Sequence, residues 1–170
     1  MSILSDGDIL HFIGKGIISI EPFEEKNLTP NGYDLRVGEA YLTDTHEHFC
    51  EGTVFIPPRS GIAVATHEYL KLSGEVCAQL WLRSSYARKG LLSSFGKVDS
   101  GFEGTLTIPL YNSTSKPFEL RIGDRFIQIV FEKLLSRPLA LYHQRSGHYQ
   151  GSVGITLEYF KDGKKEKDRA

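Results

Sequence analysis

Lys97-Val98-Asp99-Ser100-Gly101-Phe102-Glu103-Gly104-Thr105-Leu106-Thr107-Ile108-Pro109-Leu110-Tyr111-Asn112 decides how the chain is read. Two glycines bracket Phe102, Asp99 stands just before them, and an alternating pattern follows. That alternation puts Leu106, Ile108 and Leu110 on one face of a strand and Thr105, Thr107 and Pro109 on the other. A Gly-aromatic-x-Gly turn lets backbone approach a ligand closely, because glycine has no side chain in the way. Asp99 at its base is the best general-base candidate. An ordinary hairpin with an acidic turn residue fits the same residues.

Outward from this stretch the pattern repeats. Tyr33-Asp34-Leu35-Arg36-Val37 starts a strand after the turn signal Pro30-Asn31-Gly32. Up to about residue 142 short apolar alternations are separated by turns at Pro57-Pro58, Ser73-Gly74, Lys116-Pro117 and Gly123-Asp124. Strands at this spacing predict an all-β sandwich or barrel rather than a parallel α/β sheet. Ahead of them, Ser5-Asp6-Gly7-Asp8 predicts an N-capped short helix closed by Gly14 or Gly16, then a strand over Ile17–Ile20. The mixed-charge end, 161–170, predicts a disordered tail beyond a single domain of 1–160.

The chain has 170 residues, 40% hydrophobic and 24% charged, with a net charge of −1. That length suffices for one core without staples. The charge provides no global field for nucleic acid or an anionic membrane, so neither is expected as a partner. Two cysteines, Cys50 and Cys77, give no disulfide framework. With no apolar run of membrane length and no basic-then-apolar start, a cytoplasmic protein is expected. His46, His48 and Cys50 fall at alternate positions, so a strand would place all three on one face. Their spacing differs from the usual zinc patterns, and a solvated strand or loop is the default.

Three further stretches carry chemistry. In 76–90, a strand over Val76–Leu82 leads to Ser84-Ser85, good N-caps, and a short helix ended by Gly90. Free N–H groups, two hydroxyls, Arg83 and Arg88 suit phosphate there; a capped surface helix is the plainer alternative. Arg125 to Phe131 reads as a strand buried on both faces, in which Gln128 needs a partner, a backbone group or a ligand phosphate. His148-Tyr149-Gln150-Gly151-Ser152-Val153-Gly154 is glycine-punctuated, as a mobile closing segment would be.

In this order the stretches resemble the dUTPase and dCTP deaminase superfamily. The matching pieces are Asn31-Gly32-Tyr33-Asp34-Leu35-Arg36, Arg83-Ser84-Ser85-x-Ala87-Arg88-x-Gly90, Val98-Asp99-x-Gly101-Phe102-x-Gly104 with Tyr111-Asn112, Gly123-Asp124-Arg125-x-x-Gln128, and Tyr149-Gln150-Gly151. They span roughly residues 3 to 156 and look most like an archaeal-type dUTPase. The resemblance implies a distorted β jelly-roll or barrel (a β-clip) with a short N-terminal and one short internal helix. It implies a homotrimer with sites between subunits, and a deoxypyrimidine triphosphate bound with Mg2+ held through substrate phosphates rather than by protein ligands. Carried over, Arg83, Ser84, Ser85, Arg88 and Gln128 hold phosphates, and the Gly101–Thr107 hairpin, with Thr107, reads the pyrimidine edge through backbone groups. Phe102 lies against the deoxyribose, and Tyr142, Tyr149 and Gln150 belong to the closing segment.

Deaminases of this superfamily carry a glutamate ten residues beyond the aspartate, where this chain has Pro109. Proline can neither give nor take a proton. The expected activity is therefore hydrolysis of dUTP to dUMP and pyrophosphate, which keeps uracil out of DNA and supplies dUMP for thymidylate synthesis. The rivals are a dCTP deaminase or bifunctional deaminase-dUTPase using another carboxylate such as Glu103, and a non-catalytic nucleotide sensor. Tyr149-Gln150-Gly151-Ser152 is itself deaminase-like, where usual dUTPases carry an aromatic residue that caps the uracil.

Overall fold

Ser5 starts the first helix as its composition predicts: its hydroxyl accepts from the Asp8 N–H while the Asp8 carboxylate accepts from the Ser5 N–H. A computed structural model describes residues 2–157, so the tail expected over 161–170 lies outside the described residues. Helices α1 (Asp6–Gly14), α2 (Ser84–Ala87) and α3 (Tyr142–Arg145) punctuate a chain of strands. The first nine strands are β1 (Ser2–Ile3), β2 (Ile18–Glu21), β3 (Leu28–Thr29), β4 (Gly32–Leu42), β5 (His48–Phe49), β6 (Thr53–Ile56), β7 (Gly61–Thr66), β8 (Tyr69–Leu72) and β9 (Val76–Leu82). After α2 come β10 (Leu91–Ser93), β11 (Lys97–Val98), β12 (Glu103–Gly104), β13 (Thr107–Asn112), β14 (Phe118–Arg121) and β15 (Arg125–Lys133).

Ten strands make one curled half-barrel sheet in the order β10-β13-β7-β4-β15-β9-β11, with β1 added on β15 and β3 and β5 on β4. A second sheet runs β12-β8-β2, and β14 pairs with β6. All named pairings are antiparallel, which suits short strands joined by turns. The all-β jelly-roll expectation is met. α3 is a third helix that the sequence reading did not anticipate.

β15 is the centre. Between β4 and β9 it buries Phe126, Ile127, Ile129 and Phe131 completely, as its apolar run, interrupted only by Gln128, predicts. Each such side chain contributes about 1.5–3 kcal/mol relative to exposure. Polar groups that enter this interior are matched. Glu68, with no exposed surface, takes the Arg36 Nε at 2.6 Å and the Arg36 N–H at 2.8 Å, and Glu24 takes the same guanidinium. Buried Asn112 donates to the carbonyls of Ile56, Pro57 and Lys116 and accepts from the Thr114 N–H, so it ties a turn together.

Two local expectations are corrected. The stretch 97–112 is no hairpin: β11 pairs with β9, β12 with β8, and β13 with β7 and β10. It crosses from one end of the large sheet, through the small sheet, to the other end. The strand begins at Thr107 rather than Thr105 because the two preceding N–H groups leave the ladder. Thr105 donates to the Ser152 carbonyl at 2.9 Å and Leu106 to the Thr66 hydroxyl at 3.0 Å. At α2, Arg83 holds the N-cap position without a side-chain bond, and the serines expected as caps lie inside the single turn.

Candidate active site

The crossing stretch leaves a cavity of about 480 Å³ between the two ends of the large sheet. β9 contributes Leu80, β7 contributes Ala63, and the crossing contributes Lys97, Asp99, Phe102 and residues 105–109. Tyr142, Tyr149, Ser152, Thr156 and Leu157 close it from the C-terminal side. Of the expected site residues, Asp99, Phe102, Thr107, Tyr142 and Tyr149 all line this one cavity.

Asp99 is exposed, at the cavity's edge. Phe102 is buried and meets the Tyr142 ring edge-on at 5.7 Å between centroids. Burial raises the Tyr142 phenol above its ordinary pKa; the Tyr149 N–H opposes this, and the Asp99 charge adds to it. Tyr142 therefore keeps its proton through the neutral range, and its oxygen accepts from Tyr149 N–H at 3.0 Å. Pro109, in β13, lines the cavity with its side chain while its carbonyl accepts from Ser93 at 2.7 Å. Glu103 is turned away. Its oxygens meet the Tyr69 hydroxyl at 3.3 Å and the Lys71 ammonium at 3.4 Å, and it is absent from the cavity wall.

Residues 149–156 form an arm across the crossing. Gln150 receives the Glu103 N–H at 3.3 Å and donates to the Gly101 carbonyl at 3.2 Å. Gly151 N–H donates to the Glu103 carbonyl at 2.7 Å, and Ser152 bonds both backbone groups of Thr105. Thr107 accepts from the Thr156 N–H at 2.9 Å. The glycines serve this docking. A Cβ on Gly104, whose φ is +147°, would stand 2.9 Å from Ser152 Oγ, and one on Gly101, at φ +84°, would stand 2.7 Å from Leu141 Cβ. The backbone expected to face a pyrimidine is engaged by the chain's own arm.

The residues expected to hold phosphates, Arg83, Ser84, Ser85, Arg88 and Gln128, are not among the cavity's lining residues. Alternation explains this. Leu80 faces the cavity, so Trp81 faces out, opposite Gln128 across the β9–β15 ladder, with Asp34 on the far side of Gln128. Gln128 donates to the Thr29 hydroxyl at 2.7 Å, and Arg83 reaches Asp34 at 3.0 Å, with Arg125 at 3.8 Å. Burial raises the Asp34 carboxyl above the usual range against the pull of Arg83 and then Arg125. Ser84 and Ser85 in α2 and Arg88 just after it lie exposed, following β9 in the chain. Sequence reasoning missed Lys97, Asp34 and Ser152. Lys97 stood inside the quoted stretch, two residues before Asp99, and its charge was the available signal.

Residues 3–134 match a family model described as dCTP deaminase-like. The chain belongs to the dCTP deaminase-like family. This family comprises enzymes acting on nucleotides. A dCTP deaminase of Pyrococcus horikoshii is 49% identical over 145 residues, covering 82% of this chain and 89% of that one. A probable deoxyuridine 5'-triphosphate nucleotidohydrolase of Sulfolobus islandicus rod-shaped virus 1 is 38% identical over 157 residues, covering 91% and 97%. Among solved structures, the 2'-deoxycytidine 5'-triphosphate deaminase of Agrobacterium tumefaciens aligns with a TM-score of 0.66 at 22% identity, over 76% of this chain and 47% of that one. EIAV dUTPase aligns with a TM-score of 0.52 at 18% identity, over 72% and 93%. These two likenesses carry the fold alone. No helix among the described residues is long and apolar enough to cross a membrane.

Proposed function

We propose that this family member hydrolyses dUTP to dUMP and pyrophosphate. The observation that carries the reading is the cavity's acid content: Asp99 is the one carboxylate among its described lining residues, and Pro109 stands where the deaminase resemblance calls for glutamate. Hydrolysis needs one base: Asp99 takes a proton from water, the water oxygen bonds to the α-phosphorus, and pyrophosphate leaves. Deamination needs a carboxylate that shuttles protons between water and the ring, and Glu103 is committed to Lys71 and Tyr69.

Phe102 and the two tyrosines supply aromatic surface for sugar and base. Lys97 is the cavity's one lining cation among the described residues, too little for a triphosphate. The arginines lie on the sheet's other face, so the reading includes a homotrimer in which a neighbouring copy brings Arg83, Arg88 and Gln128 to this cavity. Mg2+ is the expected cofactor, and a single exposed carboxylate suits an ion held mainly by phosphate oxygens and water. Bound there, it would neutralise phosphate charge.

The relatives' names favour a second reading, a dCTP deaminase or bifunctional deaminase-dUTPase, since the Pyrococcus horikoshii relative bears the deaminase name. One assay separates them: pyrophosphate and ammonia release from dUTP, dCTP, dTTP and UTP. Hydrolysis predicts pyrophosphate from dUTP and no ammonia from dCTP. Ammonia from dCTP would move the assignment to the second reading, and dUTP binding with neither product would make the protein a nucleotide sensor.

A further inference from the structure

Away from the cavity, β4 and β5 pair with Ala40 opposite Phe49 and Tyr41 opposite His48. One further step along this antiparallel ladder sets Glu39 against Cys50, and alternation puts His48 on the same face as both. The ligand atoms of Glu39, His48 and Cys50 all lie within 4.8 Å of one another. His48 Nε2 and Glu39 Oε2 are already in hydrogen-bond contact, 2.5 Å apart. His46, the third residue of the sequence pattern, is elsewhere: at φ +63° it turns its Nδ1 to the Tyr41 hydroxyl at 2.6 Å. Cys50 is an exposed free thiol, and the His48 side chain is 49% exposed, so both have rotamers to spare.

We propose that Glu39, His48 and Cys50 bind a divalent ion of the zinc class, with water as the fourth ligand. Zinc bonds at about 2.0–2.3 Å place tetrahedral donors about 3.3–3.8 Å apart, so the His48–Glu39 pair opens from 2.5 Å as the ion enters, while any wider separation, none above 4.8 Å, closes by at most about 1 Å. Thiolate and imidazole suit Zn2+ or Co2+ and are poor ligands for Mg2+, which separates this site from any Mg2+ on substrate phosphates. Cys50 would ligate as the thiolate and His48 through a ring nitrogen lone pair, as metal binding requires.

The site is joined to the arm. The second Glu39 oxygen accepts the Ile155 N–H at 2.7 Å, and Gly154 lies against the same carboxylate. An ion on Oε2 fixes the carboxylate that clasps the arm, so metal occupancy holds the arm down. This coupling does not depend on which nucleotide the cavity takes.

The test uses the full chain with its thiols reduced. Equilibrium dialysis against ZnCl2 is expected to give one ion per chain. His48→Ala and Cys50→Ser should each weaken uptake by more than the ~10–100-fold that losing an outer-shell partner costs, while His46→Ala leaves it unchanged. CoCl2 should give a thiolate-to-cobalt charge-transfer band that Cys50→Ser abolishes. Hydrogen exchange at the Ile155 amide should slow on adding zinc. Uptake equal in wild type and Cys50→Ser, or none at all, overturns the site. Uptake without added protection at Ile155 overturns the clasp. Circular dichroism on each variant confirms that it folds.

Discussion

Ser152→Ala removes one hydroxyl and tests the arm directly. The Ser152 side chain is 2% exposed, and its Oγ–H donates to the Thr105 carbonyl at 3.0 Å. A lost hydrogen bond costs about 0.5–1.5 kcal/mol, rising to about 1–3 kcal/mol when a buried group is left unmatched. A working value of about 1–2 kcal/mol lowers the ratio of docked to lifted arm about 5–30-fold. The reporters are the Thr105 N–H, which donates to the Ser152 carbonyl, and the Gly151 N–H, which donates to the Glu103 carbonyl. Both exchange with solvent only when the arm lifts, so their protection should fall by the same 5–30-fold. The β15 amides within the large sheet are the control and should be unchanged. Unaltered protection at Thr105 and Gly151 would refute the docking energetics. An equal fall in β15 would show that the hydroxyl supports the whole fold and not the arm.

Asp99→Asn should retain dUTP binding and lose ~10²–10⁴-fold in pyrophosphate release, read by single-turnover assay; wild-type turnover removes Asp99 from the mechanism. Arg36→Met leaves the Glu68 carboxylate buried and unpaired, and should cost about 3–5 kcal/mol in urea unfolding. For Asp34 the folded pKa is raised above the unfolded value of about 3.9, so the folded state holds its proton longer. Stability from this group is therefore lost as pH rises from about 4 through the folded pKa, and wild type minus Asp34→Asn should show that decline in unfolding free energy. A pH-independent difference contradicts it.

The strands were legible because their patterns are local: β9 by period-two alternation, β4 by the turn signal before it, and β15 by its apolar run can be read from adjacent residues alone. The site was legible in part, since Asp99, Phe102 and Thr107 sit within one short stretch whose crossing forms the cavity wall. What escaped depends on register between distant segments. Gln128 finds its partner in Thr29, 99 positions away, where the sequence reading expected backbone or ligand phosphate. Glu39 joins His48 and Cys50 through a ladder whose turn bends His46 aside. Glycines 101 and 104 were read as letting backbone approach a ligand, and the structure sets the chain's own groups against them. The approaching groups are Leu141 and Ser152, which no local pattern identifies.

Under the proposed function, the arm's bonds bear on how a base would be recognised. Gly101, Glu103, Thr105 and Thr107 all bond to the arm, and of these Thr105 and Thr107 line the cavity. Polar groups left on the wall include Asp99, Lys97 and the phenols of Tyr142 and Tyr149. A pyrimidine that reads the crossing's backbone must therefore displace arm bonds, trading each hydrogen bond for another at small net cost. Discrimination between bases then lies in how completely each one replaces the arm's donors and acceptors, since an unmatched buried group costs more than a matched one returns. Arm release and base selection become one equilibrium, and a variant that loosens the arm should bind all deoxypyrimidine triphosphates more readily while distinguishing them less.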